Sequence, residues 1–118
     1  MNVTIHSYAP GTFWGPKSDG GILEGGRFDL ALTSWSPALD PDRSYLFGCA
    51  ALPPAGGNAG AYCDPAYDAA EAAGELTYDE RLRRADYRRA QAILEHDLPI
   101  VPLGFERSAY ALLSLIHI

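Results

Sequence analysis

The chain has 118 residues, a formal net charge of −6, 47% hydrophobic residues, 12 glycines and 9 prolines. That length holds one domain at most, with a modest core and many turns. The acidic balance excludes a nucleic-acid partner, because phosphate binding needs an excess of cations, and no apolar run reaches the roughly 20 residues that span a bilayer.

Asn2 to Tyr8 alternates Val3 and Ile5 with Thr4 and His6, which predicts a half-buried strand. Asn2-Val3-Thr4 also matches a glycosylation acceptor, a pattern short enough to arise often by chance. Residues 1 to 9 carry neither the basic segment nor the long apolar core of a signal peptide. The expectation is therefore a cytoplasmic protein or an internal piece of a longer chain. Ala9 to Lys17, with two prolines, two glycines and the Phe13-Trp14 pair, reads as an irregular loop with aromatic contacts. A short helical turn around Ile22-Leu23-Glu24 is expected before Gly25-Gly26 breaks it.

Phe28 to Trp35 alternates again, with Phe28, Leu30 and Leu32 on one side and Asp29, Ala31 and Thr33 on the other. This predicted strand delivers Trp35 between Ser34 and Ser36. An exposed aromatic at the C-terminal end of a strand, just before the chain turns into a helix, is where α/β folds place ligands. Asp40-Pro41 then supplies a capping carboxylate and a proline at the first helical position, predicting a helix from Pro41 to about Phe47. Leu52 to Gly60 reads as a surface loop flanked by Cys49 and Cys63. The cysteine spacing fits no zinc or redox motif. A disulfide closing a loop of this size stabilises by about 3 kcal/mol in the chain-entropy model and implies an oxidising compartment. The alternative is two unpaired buried thiols.

Asp64-Pro65 repeats the helix-start signal, predicting a helix over Ala66 to Ala73 that Gly74 ends. Thr77-Tyr78-Asp79-Glu80 fits a capping box. The helix that follows, Tyr78 to His96, places Leu82, Ala85, Ala90, Ile93 and Leu94 on one apolar face. Arg81, Arg83, Arg84, Arg88 and Arg89 interleave with Asp79, Glu80, Asp86 and Glu95, so they read as a solvated, salt-bridged face rather than a phosphate grip. Leu98 to Phe105 is short and apolar, and Pro99 and Pro102 make it an edge or crossing strand. Strand, loop, strand, short helix, helix, long helix, strand is an α/β pattern.

Catalysis would need an activated nucleophile or paired acids. GxSxG and HExxH are both absent, and no motif brings Ser34, Ser36, His6 or His96 together, so these residues read as structural and the chain as non-catalytic. His6 and His96 have no metal-ligand spacing. His96 reads as a solvated residue near a helix C-terminus, and neither a metal nor a cofactor is expected.

One series of short motifs runs through the chain. It comprises Gly26-Arg27-Phe28-Asp29-Leu30, Trp35 with Asp40-Pro41, then Asn58, Tyr62 and Asp64-Pro65 before Tyr67-Asp68. It continues with Arg81, Tyr87-Arg88-Arg89-Ala90-Gln91 and Asp97-Leu98-Pro99-Ile100-Val101-Pro102-Leu103. In order and spacing it resembles the C-terminal part of the extracytoplasmic solute-binding proteins (family 5) that serve peptide and nickel ABC importers. The Cys-loop-Cys is similar to that of the dipeptide-binding branch and implies a Cys49–Cys63 bridge.

The resemblance implies a two-lobed, periplasmic-binding-protein-like (type II) α/β fold, a mixed sheet with packed helices. Residues 1–112 would be an incomplete C-terminal lobe segment, and Met1 an internal or accidental start. It further implies reversible capture of peptides or similar small solutes by lobe closure, an ABC permease as partner, and a periplasmic or extracellular, membrane-anchored location. Trp35 would stack on the ligand, with Ser34 and Ser36 as hydrogen-bond donors. In peptide binders of the family an acid three positions after the Trp meets the ligand's ammonium. Here Ala38 stands there, one residue is missing before Asp40-Pro41, and Asp40 is the remaining candidate, although its place suits helix capping. The alternatives are a cytoplasmic transcriptional regulator with a related sensing domain, or a binder of nickel or another solute. Leu113 to Ile118 resembles translated adaptor sequence and is expected to be non-native, His117 included.

Overall fold

The computed structural model describes residues 2–36, 38–105 and 107. The expected non-native tail, 113–118, lies outside the described residues. Among the described residues four helices follow in order: α1 (Pro10–Phe13), α2 (Ser44–Phe47), α3 (Pro65–Leu76) and α4 (Glu80–Asp97), with a 3-10 turn at Lys17–Asp19. Among the described residues no helix is long and apolar enough to cross a membrane.

None of the described residues lies in a β-strand, so the expected mixed sheet is not formed here. Asn2–Tyr8, Phe28–Trp35 and Leu98–Phe105, all predicted as strands, are irregular. Most of their apolar side chains stay in water: Leu30 is 89% exposed, Leu32 80% and Phe105 98%. Alternation shows what a segment would bury against a neighbour, but a strand exists only through ladder hydrogen bonds to one. None of the three finds such a partner among the described residues.

The N-terminal stretch is organised by backbone hydrogen bonds instead. The Ile22 and Leu23 amides donate to the Thr12 and Phe13 carbonyls (3.1 and 3.2 Å), and the Arg27 amide donates to Ile22 (3.1 Å). Ile22 is buried, and Phe13 and Trp14 meet edge to face with centroids 5.2 Å apart. The stretch expected to be an irregular loop thus contains one helical turn, α1. The turn expected at Ile22-Leu23-Glu24 is a bonded turn rather than a helix.

The second half packs around an aromatic trio. Phe47, Tyr62 and Tyr67 meet edge to face, with centroids 6.1 to 6.5 Å apart, a favoured geometry for ring quadrupoles. Ala70 and Ala90 are buried with them, and Leu46, Ile93 and Leu94 pack around the edge. Cys49 and Cys63 form a disulfide with their Cα atoms 4.4 Å apart. Between them Asn58 is 2% exposed. Its amide donates to the Gly48 and Tyr62 carbonyls (3.0 and 2.6 Å) and its oxygen accepts from the Tyr62 amide (3.1 Å). The predicted surface loop is therefore folded inward at Asn58, because a side-chain amide satisfies backbone groups that would otherwise be buried unpaired.

Helix boundaries depart from expectation where packing intervenes. The Asp64 carboxylate caps α3, accepting from the Ala66 and Tyr67 amides (2.6 and 3.3 Å), with Pro65 at the first helical position. The helix continues past Gly74 to Leu76. Gly74 is a close-approach site rather than a stop: a Cβ there would stand 3.0 Å from the Tyr87 ring of α4. The capping box is not formed. Asp79 caps α4 by accepting from the Leu82 amide (3.0 Å), while the Thr77 hydroxyl accepts from Asp79's own amide (3.2 Å). The chain leaves α4 at Leu98 in the left-handed region, φ 50°, and Pro99 prevents further helix. The inner face of α4 carries Tyr87 and Ala90, with Ile93 and Leu94 partly buried, whereas Leu82 and Ala85 face water. The expected face is thus rotated, because Tyr87 rather than Leu82 meets α3.

Gly74→Ala gains about 1 kcal/mol of helix propensity but overpacks a contact whose cost is about 1–3 kcal/mol. Tyr87 is held by Arg83, through a hydrogen bond of 3.2 Å to its hydroxyl and a guanidinium 4.9 Å from its ring centroid. A net loss of up to about 2 kcal/mol, centred on about 1, is expected in urea unfolding. An unchanged midpoint would show that Tyr87 moves aside freely.

Candidate functional site

The edge singled out by the sequence is present as an exposed, irregular segment. Trp35 is 51% exposed, and its ring lies 6.5 Å from that of Tyr45, tilted by 36°. Tyr45 belongs to α2, so the first turn after the Asp-Pro signal gives Trp35 its aromatic neighbour. Ser34 and Ser36 are exposed, and the Ser34 carbonyl accepts from the Thr33 hydroxyl (3.3 Å). Both serine hydroxyls face solvent, as donors available to a ligand must.

Asp40 does not cap the predicted Pro41–Phe47 helix, which is reduced to the single turn Ser44–Phe47. Its carboxylate accepts from the Asp42 amide (3.0 Å) in an Asx turn. Both of its oxygens also accept from Arg83 of α4 (2.9 and 2.7 Å). The Asp42 amide first, and Arg83 next, hold the Asp40 carboxyl below the usual carboxylate range. Asp42 takes over the local capping work, its two oxygens accepting from the amide and hydroxyl of Ser44 (2.9 and 3.1 Å).

Below this turn Glu71 of α3 is 4% exposed and accepts from the Arg43 amide (3.1 Å). Burial pushes its carboxyl pKa up, with Asp42 beside it adding to the effect. The Tyr67 hydroxyl is buried and has no hydrogen-bond partner among the described residues. Burial, then the Glu71 carboxylate, raises its pKa well above the ordinary phenol range.

Asp40, Asp42, Glu75, Thr77, Tyr78, Glu80 and Arg83 line an open cleft of about 470 Å³. It holds four carboxylates and one guanidinium. Trp35, Ser34 and Ser36 are not among its lining residues, so the structure brings Trp35 to Tyr45 and turns Asp40 toward α4. Arg83 was placed by its sequence context among solvated arginines, and Arg84 does pair with Glu80 (2.7 Å) on the surface. Arg83 differs because it lies one turn before Tyr87 on the inner stripe of α4. That i, i+4 relation was the available signal.

Among the described residues His6 and His96 form no shared site. His6 is beside Tyr8, with centroids 6.4 Å apart. His96, exposed at the end of α4, sits 2.8 Å from Asp97, whose other oxygen accepts from the Tyr62 hydroxyl (2.7 Å). This arrangement ties the disulfide loop to the end of α4.

The comparisons with known proteins agree with the peptide side of the resemblance. The chain is 32% identical over 97 residues to di/tripeptide-binding protein 1 of Pseudomonas aeruginosa, covering 80% of this chain and 18% of that protein. It is 34% identical over 107 residues to di/tripeptide-binding protein 2, covering 88% and 19%. It is 35% identical over 82 residues to di/tripeptide-binding protein 3, covering 67% and 15%. This chain is similar to a segment of peptide-binding proteins. It spans less than a fifth of the length of these curated relatives. No family model and no solved structure matches.

The buried carboxyl of Glu71 makes a pH prediction. Its pKa in the folded chain is raised above its ordinary value of 4.5, so the native state holds this proton more tightly than the unfolded chain. Its contribution to stability therefore falls as pH rises from about 4.5 through the folded pKa. Glu71→Gln cannot ionise. Urea unfolding at about pH 4 and about pH 7 should show the variant gaining on the parent as pH rises. A gap independent of pH would contradict the raised pKa.

Proposed function

We propose that the chain is the C-terminal lobe segment of an extracytoplasmic solute-binding protein that captures peptides for an ABC importer. The observation that carries this reading is the similarity to proteins named for di- and tripeptide binding, which extends over 88% of the chain in one case. The Cys49–Cys63 disulfide supports it, since such bonds persist in oxidising compartments such as the periplasm. The unpaired segments support it too: the alternating Phe28–Trp35 and the short apolar Leu98–Phe105 have the character of strands whose neighbours would lie in the remainder of a larger, two-lobed protein.

In this reading the lobes close by hinge motion over the ligand, and the closed form is presented to the membrane permease. No covalent chemistry takes place. Trp35 offers a half-exposed ring face to a peptide plane or side chain, and Ser34 and Ser36 offer hydroxyl donors. The names of the relatives lend no support to a transcriptional regulator or a nickel binder.

Calorimetric titration of a di- and tripeptide panel into the complete protein encoded by the reading frame containing this chain tests the proposal. Binding is expected, with Trp35→Ala weakening it by about tenfold or more, equivalent to about 1.4 kcal/mol. The 118-residue chain alone should bind far more weakly, because it spans less than a fifth of the length of the peptide-binding relatives it matches. No binding of any panel member by the complete protein would overturn the reading.

A further inference from the structure

Trp35 sits in an irregular segment, so its own backbone has no ladder to fix where the ring points. Among the described residues Tyr45 is the one ring paired with it, at 6.5 Å and a tilt of 36°, within the separations that aromatic pairs favour. Trp35 remains 51% exposed, which leaves part of its ring open to a ligand.

Tyr45 is itself held in place. The Arg43 amide donates to the buried Glu71 carboxyl (3.1 Å) and the Ser44 amide donates to Asp42 (2.9 Å). The Tyr45 carbonyl accepts from the Gly57 amide of the disulfide loop (2.9 Å). The ring rests on the same residue: a Cβ added at Gly57 would stand 2.7 Å from Tyr45 Cε1 and 3.2 Å from Cδ1. Gly57 lies outside the left-handed region, so a glycine serves here by the space it leaves and not by its conformation. The loop backbone at this point is tied down. The Asn58 amide donates to the Ala51 carbonyl (3.0 Å), the Asn58 side chain bonds the Gly48 and Tyr62 carbonyls, and Cys49–Cys63 closes the loop. Contacts thus run from the disulfide loop through Gly57 to Tyr45 and on to Trp35.

We propose that Tyr45 is a positioning residue for Trp35: seated on Gly57, it sets the orientation in which the Trp35 ring meets a ligand. The Cys49–Cys63 loop is then the support of the ligand edge as well as part of the core. The identity of the ligand rests on the peptide-capture reading above; the positioning does not.

Two measurements test it. With Trp14→Phe in the 118-residue chain, Trp35 is the one remaining tryptophan, and acrylamide quenching reports how openly its ring is held. Tyr45→Ala should raise the quenching constant by about 1.5-fold or more, because the ring loses a neighbour. Tyr45→Phe, which keeps the ring, should restore the parent value. Gly57→Ala should change quenching by displacing the Tyr45 ring, and should have no further effect once Tyr45 is replaced by Ala. Quenching indifferent to Tyr45→Ala, or a Gly57→Ala effect that persists without the Tyr45 ring, would overturn the proposal whatever the ligand. In the complete protein, calorimetry with the tightest-binding member of the peptide panel should show Tyr45→Ala weakening binding by about threefold to tenfold. Unaltered affinity would overturn the role in binding. Failure of the parent to bind any panel member would overturn peptide capture instead, and the quenching series would still decide the positioning.

Discussion

Three rings that meet edge to face hold the second half of this protein. Phe47 comes from α2, Tyr62 from the disulfide loop and Tyr67 from α3, so one aromatic cluster joins three consecutive segments of the chain. Each ring is placed by something else. The Asp64 cap and Pro65 start α3 so that Tyr67 turns inward, and Asn58 fixes Tyr62 by bonding both its amide and its carbonyl. The Cys49–Cys63 bond closes the loop carrying both. A core this small has few apolar contacts to spare, so the polar clamp and the covalent closure narrow the alternatives open to the chain.

The same cluster sets the position of the charged groups. With Tyr67 inward, Glu71 one turn later is drawn under the Asp40–Asp42 turn, where it accepts from the Arg43 amide. With Gly74 another three residues on, α4 can approach until the Tyr87 ring rests on the α3 backbone. Tyr87 in turn positions Arg83, and Arg83 holds Asp40. The pairing of the Asp40 carboxylate thus depends on a glycine in the helix interface.

How much was legible beforehand varies with the origin of each feature. The Asp64-Pro65 start, the long helix and the disulfide are local or nearly local properties, and they appear where residue chemistry places them. Asp79 rather than Thr77 caps α4, a shift of two residues that leaves the helix in place. Two of the three strands were read from alternation and the third, Leu98–Phe105, from a short apolar run with prolines, yet all are unpaired here because a ladder is a relation between two segments. Trp35 was found from its setting and is exposed as expected. Its neighbour Tyr45 and the capture of Asp40 by Arg83 were not visible, since each joins groups that only packing brings together.

The amino-acid sequence by itself determined where the two long helices start to within two residues, which cysteines were available to close a loop, and that the chain is acidic with an aromatic set between serines. These follow from side chains acting on their own backbone within a turn or two. Only the tertiary structure decided that Gly74 is a contact rather than a stop, that α4 turns Tyr87 inward in place of Leu82, and that Asp40 is neutralised from α4. The reason is physical: burial and ion pairing depend on what lies across the interface, and that partner is set by the packing of α3 on α4.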